Sequence, residues 1–396
     1  MWWISALILL PIWFTFDKTE TNKGNFWNGF IYGFCIYAFL FHWIPHSVAA
    51  ITHLNIVVCY FLIGLCFSII GVLYGLLFMM IKFLWPKYPW LVIFILPGFE
   101  WVCLPVFPIS MGYSWHASLG GVQAADIGGV YFLSSLCCLY SFLIYLGIKN
   151  ITKRKWYWAA SLILLLVQYS YGCYRIFAIH NSKVTATLNV SILQTGIPPI
   201  VKRDETKATY ANVSKQLIDA NQENKAAQLF LLPESIFVPT FKSDKDMRLT
   251  ELRSMIKNNQ GLIFGCNTTE DHKTYNSMAF IQNANDQFDY YRKHKLLLLG
   301  EYLPMMKYTP QLAEKISSMT HTNEFAAGEK NVSFHFQDFK ILPFICIESM
   351  YGQWVAQVNR ELKDTDLLMN ITEDGWFGTS KASELHLYAL SFRAKV

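Results

Sequence analysis

The chain has 396 residues, of which 53% are hydrophobic and only 15% are charged, and its formal net charge is +5. These averages hide a shift near residue 180, because charged residues are sparse before it and frequent after it. The composition therefore indicates a membrane region joined to a folded domain. The excess positive charge lies largely in short loops between apolar segments, so it does not indicate a nucleic-acid partner.

Six apolar segments before residue 180 predict membrane-spanning helices. A hydrocarbon core about 30 Å thick requires about 20 helical residues, and most of the segments are long enough. They lie at 2–16, 26–42, 54–81, 89–113, 127–148 and 156–178. The first is short enough for a signal peptide, but it has neither a basic leader nor a small-residue cleavage site. We therefore predict a transmembrane region over residues 1–180 with about six helices.

The loops between these segments predict their orientation. Lysine and arginine occur in the first, third and fifth loops, whereas the second loop (43–53) and the fourth loop (114–126) contain none. Positive residues are enriched in cytoplasmic loops, so everything after residue 178 is expected outside the cytoplasm. In a Gram-negative cell this predicts a multi-pass inner-membrane protein whose second domain, 181–396, faces the periplasm.

Strand-like and helix-like segments alternate from about residue 185 onward. This alternation predicts an α/β domain with helices covering a sheet. The predicted strands are 186–194, 228–232, 261–266, 275–282, 286–292, 333–346 and 366–372. The predicted helices lie near 203–224, 244–258, 350–362 and 381–394.

Cys346 is a candidate nucleophile because it stands between an apolar strand pattern and a helical pattern. Amides at a helix start favour the thiolate, and a turn exposes the sulfur. A buried structural cysteine is the commoner role for this residue type, so the interpretation depends on partners. Glu234 follows the strand pattern 228–232 and Lys293 follows the pattern 286–292. They would supply the carboxylate and the ammonium that a thiolate acyl-transfer site needs.

The order Glu234, Lys293 and Cys346, within the strings PES, YRKHK…GEYLP and CIES, resembles the Glu-Lys-Cys triad of the nitrilase superfamily. The preceding membrane region and the segments 107–114, 274–277 and 374–378 extend the likeness over nearly the whole chain. The chain thus resembles the apolipoprotein N-acyltransferase family. The resemblance refines the predicted fold to a polytopic α-helical membrane region followed by a nitrilase-like α-β-β-α sandwich.

The resemblance also implies a role for each site residue. Cys346 would attack an ester carbonyl, Glu234 would move the protons, and Lys293 would stabilise the oxyanion. Glu301 and Glu348 would be supporting carboxylates that orient Lys293 and the substrate. An acyl chain from a membrane phospholipid would pass through a thioester to the amino group of the diacylglyceryl-cysteine of an apolipoprotein. The implied partners are the phospholipid donor, the diacylated apolipoprotein acceptor and the bilayer, without nucleic acid.

Two further groups were considered for chemistry. Seven of the nine cysteines fall in apolar segments, Cys266 fits strand packing, and no Cys or His spacing suggests a metal, so no metal or cofactor is predicted. Glu100 is the only acidic residue inside a predicted span, where it either orients the phospholipid or binds a polar helix neighbour. The loop 113–125 is expected to line the lipid entrance.

The chain departs from the family pattern in two ways. It starts near the family's second helix and stops shortly after the segment 374–378, so we expect a domain truncated at its C-terminus. Glu373 stands where the family has asparagine. Two alternatives therefore stay open: a membrane-tethered nitrilase-like amidase and an inactive truncated member. A transporter is less favoured, because the spans carry few polar residues.

Overall fold

The structure is a computed structural model that describes residues 2–52, 54–103, 108–241, 246–283, 288–298, 300–302 and 325–393. Contacts divide the chain into two compact units. The helical unit comprises Met1–Lys183 together with Ser380–Val396, and the sandwich unit comprises Val184–Thr379. The sequence predicts one boundary, near residue 180, with residues 380–396 in the second domain.

The helical unit begins with a series of apolar helices. They are α1 (Trp2–Ile8), α2 (Leu10–Lys18), α3 (Asn22–Leu40), α4 (Ile44–Thr52), α5 (Ile56–Leu84), α6 (Val92–Val102), α7 (Leu119–Val122), α8 (Ala125–Lys149) and α9 (Arg154–His180). Polar side chains cap three of them: Thr21 Oγ1 accepts from the backbone N–H of Gly24 at 3.1 Å, Asn55 Oδ1 from that of Val57 at 2.9 Å, and Ser118 Oγ from that of Gly121 at 3.2 Å.

Three helices in the described residues are long and apolar enough to cross a membrane: Ile56–Leu84, Ala125–Lys149 and Ile151–His180. A fourth span results if Asn22–Leu40 and Ile44–Ala50, which meet at a 53° bend, cross as one. The predicted spans 2–16 and 89–113 correspond to the shorter helices α1, α2 and α6. Large apolar side chains are exposed along α5 and α9, as contact with lipid requires.

Helices α3 and α5 pack closely through glycines. Each helix contributes a pair of glycines four residues apart, Gly29 and Gly33 of α3 and Gly71 and Gly75 of α5, and each glycine lies against the other helix. A Cβ atom on Gly29 would lie 2.4 Å from the carbonyl oxygen of Tyr74, and one on Gly75 would lie 2.9 Å from that of Phe26. The two backbones are therefore in direct contact.

Two sheets form the centre of the sandwich unit. The first contains β1 (Val190–Ile192), β2 (Leu229–Leu231), β3 (Phe237–Phe241), β4 (Gly261–Glu270), β5 (Lys273–Gln282) and β6 (Phe288–Arg292). Its order is β1-β2-β4-β5-β6, with β3 also paired to β4, and the β4–β5 and β5–β6 pairs are antiparallel whereas the others are parallel. The second contains β7 (Phe334–Phe336), β8 (Phe339–Ile345) and β9 (Leu367–Ile371), in that order.

Helices cover the outer faces of both sheets. They are α10 (Pro199–Asp204), α11 (Thr206–Glu223), α12 (Met247–Ser254) and α13 (Gly352–Leu362). One buried cluster, which includes Phe280 and Phe334, lies between the sheets, a second joins the first sheet to α11 and α12, and a third joins the second sheet to α13. This layering is an α-β-β-α sandwich, so the predicted fold is confirmed.

The single strand predicted over 333–346 is wrong, because the chain forms a hairpin there. Strand β7 ends at Phe336 and the antiparallel β8 begins at Phe339. Gln337, between them, has a φ of +53°, which reverses the chain. Only Gln337 and Asp338 separate the apolar residues of the two strands, and neither glycine nor proline marks the turn.

The last helix, α14 (Ala382–Ser391), belongs to the helical unit by its contacts. It packs against the 3₁₀ segment Met111–Ala117. The rings of His116 and Tyr388 are stacked with centroids 3.6 Å apart, and those of Tyr113 and Phe392 meet edge-on at 5.0 Å.

The contact between α3 and α5 predicts which glycine substitutions the helical unit tolerates. Gly75→Val forces the two backbones apart, and overpacking of this kind costs about 1–3 kcal/mol. Gly64→Val is the matched control in the same helix, because a Cβ at Gly64 meets none of the neighbouring atoms of the described residues within 4 Å. Thermal unfolding of the detergent-solubilised protein should show a lower midpoint for Gly75→Val only. Equal midpoints for the two variants would contradict this packing.

Candidate active site

Cys346 lies in a strained turn at the end of β8. Its φ is +53°, a conformation that non-glycine residues rarely adopt and that costs on the order of 1–3 kcal/mol. Two hydrogen bonds hold the turn: Ile345 N donates to Glu348 Oε2 at 2.8 Å, and Ser349 Oγ donates to Cys346 O at 3.0 Å. We call residues 345–350 the elbow. It presents the sulfur next to the end of β9, whose Ile371 pairs with Ile345.

Glu234 is delivered by a second tight turn, just after β2. Its side chain is nearly buried, with 5% exposed, and the following residue, Ser235, has a φ of +51°. The turn packs directly on β4, because Gly265 N donates to Pro233 O at 3.1 Å. A Cβ on Gly265 would lie 2.5 Å from the Glu234 Cα, so only glycine permits this approach.

Lys293 follows β6 and is 1% exposed. Its backbone is fixed on both sides, since its N–H donates to Asn276 O at 2.9 Å and its carbonyl accepts from Gly328 N at 2.8 Å. Its Nζ lies 2.9 Å from Glu301 Oε1 and 3.3 Å from Glu234 Oε1. One buried ammonium is thus shared by two carboxylates.

Asn276 of β5 also bridges the carboxylates of Glu234 and Glu301. Its Nδ2 donates to Glu234 Oε1 and to Glu301 Oε1, both at 2.7 Å. Sequence reasoning included this residue only within the string 274–277 and gave it no role. A signal was present, because an amide inside a buried strand must find polar partners.

The charges around Lys293 set its protonation state. Burial alone would lower its pKa, but Glu234 and Glu301 together hold the pKa well above its usual value. Lys293 therefore stays an ammonium. Glu301 is itself held in place, because its Oε2 accepts from Leu297 N at 2.7 Å.

Cys346 is in the opposite situation. Burial raises the pKa of its thiol, and the negative charge of Glu234 raises it further, whereas Lys293 lowers it. The thiol is therefore protonated at neutral pH. It needs a base for activation, and Glu234 is the carboxylate whose charge acts on it most strongly.

Glu348 ties the elbow to the loop after β6. Its side chain is completely buried and accepts hydrogen bonds from Tyr291 Oη at 2.9 Å and from the N–H groups of His294 (2.7 Å), Lys295 (3.0 Å) and Ile345 (2.8 Å). Burial raises its pKa to about 7, although the backbone donors lower it. Its contacts are with the protein framework, so it joins the two segments that carry Cys346 and Lys293.

Two residues that the sequence did not select complete the surroundings of Glu234. Glu373 N donates to Glu234 Oε2 at 2.9 Å, and the Glu373 carboxylate forms an ion pair with the buried Lys202 of α10. Burial lowers the pKa of Lys202 to about 8, although Glu234 raises it. Sequence reasoning noted Glu373 only as a departure from the family pattern.

The structure therefore brings Glu234, Lys293 and Glu301 into direct contact. Cys346 lies within electrostatic reach of the first two, and Glu348 acts through the backbone. The last residues of the string GEYLP, 303 and 304, lie outside the described residues. The set can activate a thiol with a carboxylate and stabilise an oxyanion with an ammonium.

Glu100 of the helical unit contacts polar neighbours. Its Oε2 accepts from Ser110 Oγ at 2.6 Å and from Ser134 Oγ at 2.8 Å, and its Oε1 accepts from Met111 N at 3.0 Å. These contacts fit the predicted role in which Glu100 binds a polar neighbour, rather than the one in which it orients the phospholipid. They fix the beginning of the segment Met111–Ala117 against α8.

Comparison with known proteins gives two family matches. Residues 1–143 match the apolipoprotein N-acyltransferase N-terminal domain, and residues 189–395 match the carbon-nitrogen hydrolase family. These matches confirm the family resemblance seen in the sequence and support an acyltransferase enzyme of lipoprotein maturation. With the apolar helices, they also indicate a membrane protein.

Individual relatives were also found. The apolipoprotein N-acyltransferase of Rickettsia typhi is 27% identical over 326 residues, covering 78% of this chain and 60% of the relative. That of Rickettsia prowazekii is 25% identical over 434 residues, covering 99% and 82%. A solved carbon-nitrogen hydrolase from Helicobacter pylori is 13% identical with a TM-score of 0.36, over 52% of this chain and 67% of that one.

The shared ammonium predicts a coupled effect on stability. Lys293→Met leaves two buried carboxylates without their cation, and breaking a buried pair in this way costs about 3–5 kcal/mol. Lys293→Met combined with Glu301→Gln removes one of the stranded charges and should recover part of the loss. Thermal unfolding midpoints measure both effects, with Lys381→Met, in an exposed ion pair, as the control. If the double variant unfolds at a lower temperature than Lys293→Met, the two losses of stability add, and that would count against the shared ammonium.

The contacts of Glu348 predict that an amide cannot replace it. Glu348→Gln turns an NH₂ group toward backbone donors, which should lower stability by about 2 kcal/mol because hydrogen bonds to a charged group are lost. Glu361→Gln is the control, since Glu361 is exposed and accepts only from Asn331 Nδ2 among the side-chain bonds of the described residues. Unfolding midpoints should fall for Glu348→Gln alone. An unchanged midpoint for that variant would rule out the framework role.

Proposed function

Because the chain belongs to the carbon-nitrogen hydrolase family, we propose that it transfers an acyl chain from a membrane phospholipid to the amino group of the diacylglyceryl-cysteine of apolipoproteins. Cys346 carries the acyl chain as a thioester between the two steps. The observation that carries the proposal is the buried cluster of Glu234, Lys293 and Glu301 next to the strained elbow.

The first step forms the thioester. Glu234 takes the thiol proton as Cys346 Sγ bonds to the ester carbonyl carbon, and the Lys293 ammonium stabilises the negative oxygen that results. The ester C–O bond then breaks. The departing lysophospholipid oxygen takes the proton from Glu234, so the carboxylate is regenerated.

The second step transfers the acyl chain. The acceptor amine attacks the thioester carbonyl, and Glu234 takes a proton from the nitrogen. The C–S bond breaks and the thiolate of Cys346 recovers the proton from Glu234. Glu301 keeps Lys293 charged and in place during both steps.

Two lipid substrates account for the membrane helices of the chain. Both the donor and the acceptor are anchored in a bilayer, and the exposed apolar surfaces of α5 and α9 suit a protein that stays there. We place the sandwich unit on the periplasmic side of the inner membrane, since the loops rich in lysine and arginine are cytoplasmic by the positive-inside rule. Exclusion of water from the thioester would favour transfer over hydrolysis.

Peptide mass spectrometry after incubation with phospholipid tests the first step. We expect a hydroxylamine-labile acyl mass on the Cys346 peptide, absent in Cys346→Ala and formed at least about 100-fold more slowly in Glu234→Gln, because the base is lost. Cys266→Ala is the control: this cysteine is buried in the apolar cluster between the first sheet and its helices. If a folded sample forms no adduct, the proposed acyl transfer is refuted. The remaining alternatives are then a membrane-tethered amidase and an inactive member of the family.

A further inference from the structure

Lys202 is an unusual residue for the interior of the sandwich unit. It lies in the short helix α10, and only 3% of it is exposed. Lysine is rarely buried so completely unless its charge is paired. The pairing group is the carboxylate of Glu373, 171 positions later in the chain. The ion pair therefore joins α10 to the segment that follows β9.

That segment contacts both reacting side chains of the proposed mechanism. The backbone N–H of Glu373 donates to Oε2 of Glu234 at 2.9 Å. The other carboxylate oxygen of Glu234, Oε1, accepts from Lys293 and Asn276. The preceding residue, Thr372, lies close enough to Cys346 for its side chain to lower the pKa of the thiol. Its hydroxyl also donates to Asp374 Oδ1 at 2.9 Å. Displacement of this segment would move the base and the nucleophile relative to each other.

Packing supports the same connection. A Cβ on Gly375 would lie 2.9 Å from Pro199 Cδ and 2.6 Å from Glu373 Oε1. Gly375 N also donates to Glu373 Oε1 at 3.1 Å. The start of α10 therefore lies directly against the 3₁₀ turn Asp374–Phe377, and the Lys202–Glu373 ion pair fastens the two together.

We propose that Lys202 is a positioning residue that anchors Glu373, so that the segment 372–374 holds Glu234 and Cys346 in their reactive arrangement. The inference rests on the proposed roles of Glu234 and Cys346. Lys202 does not touch the substrate in this scheme. Its effect passes through the Glu373 backbone N–H and through Thr372.

Alkylation of Cys346 by iodoacetamide tests the inference without any lipid. The sulfur bonds to the CH₂ carbon, iodide leaves, and Glu234 takes the thiol proton. We expect Lys202→Met to slow this reaction about tenfold or more, measured on the Cys346 peptide by mass spectrometry. Because Lys202→Met leaves a buried carboxylate unpaired, the double variant Lys202→Met/Glu373→Gln should react faster than the single variant.

Lys207→Met is the matched control. Lys207 is exposed and lines the same cavity of about 430 Å³ as Lys202, so its loss changes the charge of the cavity and leaves the ion pair with Glu373 intact. This variant should alkylate at the rate of the unmodified protein. In phospholipid acylation, Lys202→Met should lower the maximal rate per mole of folded protein. The half-saturating donor concentration should stay unchanged.

Two results would overturn the inference. One is an unchanged alkylation rate in folded Lys202→Met, and the other is an equal loss of rate in Lys207→Met. If Lys202→Met does not fold, Glu373→Gln replaces it in the test, because this variant keeps the backbone N–H of residue 373 and removes the charge of its side chain. An unchanged alkylation rate in Glu373→Gln would also overturn the inference. A protein whose Cys346 alkylates as described but is never acylated by phospholipid would refute the proposed function and leave the anchoring role standing.

Discussion

A single buried ammonium shared between carboxylates is the constraint on which the site depends. Lys293 lies within 3.3 Å of both Glu234 and Glu301, and neither acid could be buried there without it. Asn276 completes the cluster by donating to the same two oxygens. These contacts make the charge of each group depend on the others. A change at any one of them should therefore disturb the whole cluster.

The rest of the sandwich unit holds this cluster against two tight turns. Ser235 and Cys346 both have positive φ angles; Cys346 follows directly on β8 of the second sheet, and Ser235 lies shortly after β2 of the first. Strain of this kind persists only where the surroundings fix it. Gly265 allows one turn to pack on β4, and Glu348 fixes the other through backbone amides. The fold thereby keeps the thiol of Cys346 within electrostatic reach of the Glu234 carboxylate.

The sequence predicted the elements that carry local signals. Apolar strands ending in Glu234, Lys293 and Cys346 were recognisable, and the family resemblance ordered them into a sandwich. Asn276 was not assigned a role, because its partners come from distant segments. The Lys202–Glu373 pair was missed for the same reason, since burial of a lysine depends on tertiary packing. The turn at Gln337 carries no glycine or proline, so the apolar residues on its two sides predict one strand where the chain forms a hairpin.

Single-turnover transfer from isolated acyl-enzyme would separate an acyltransferase from a hydrolase. The acylated protein, freed of phospholipid, would be mixed with a diacylglyceryl-cysteine peptide and followed by mass spectrometry. We expect the thioester on Cys346 to disappear as an N-acylated peptide forms, and to decay far more slowly without the peptide. Decay to free fatty acid at the same rate with and without the peptide would refute acyl transfer and identify a hydrolase.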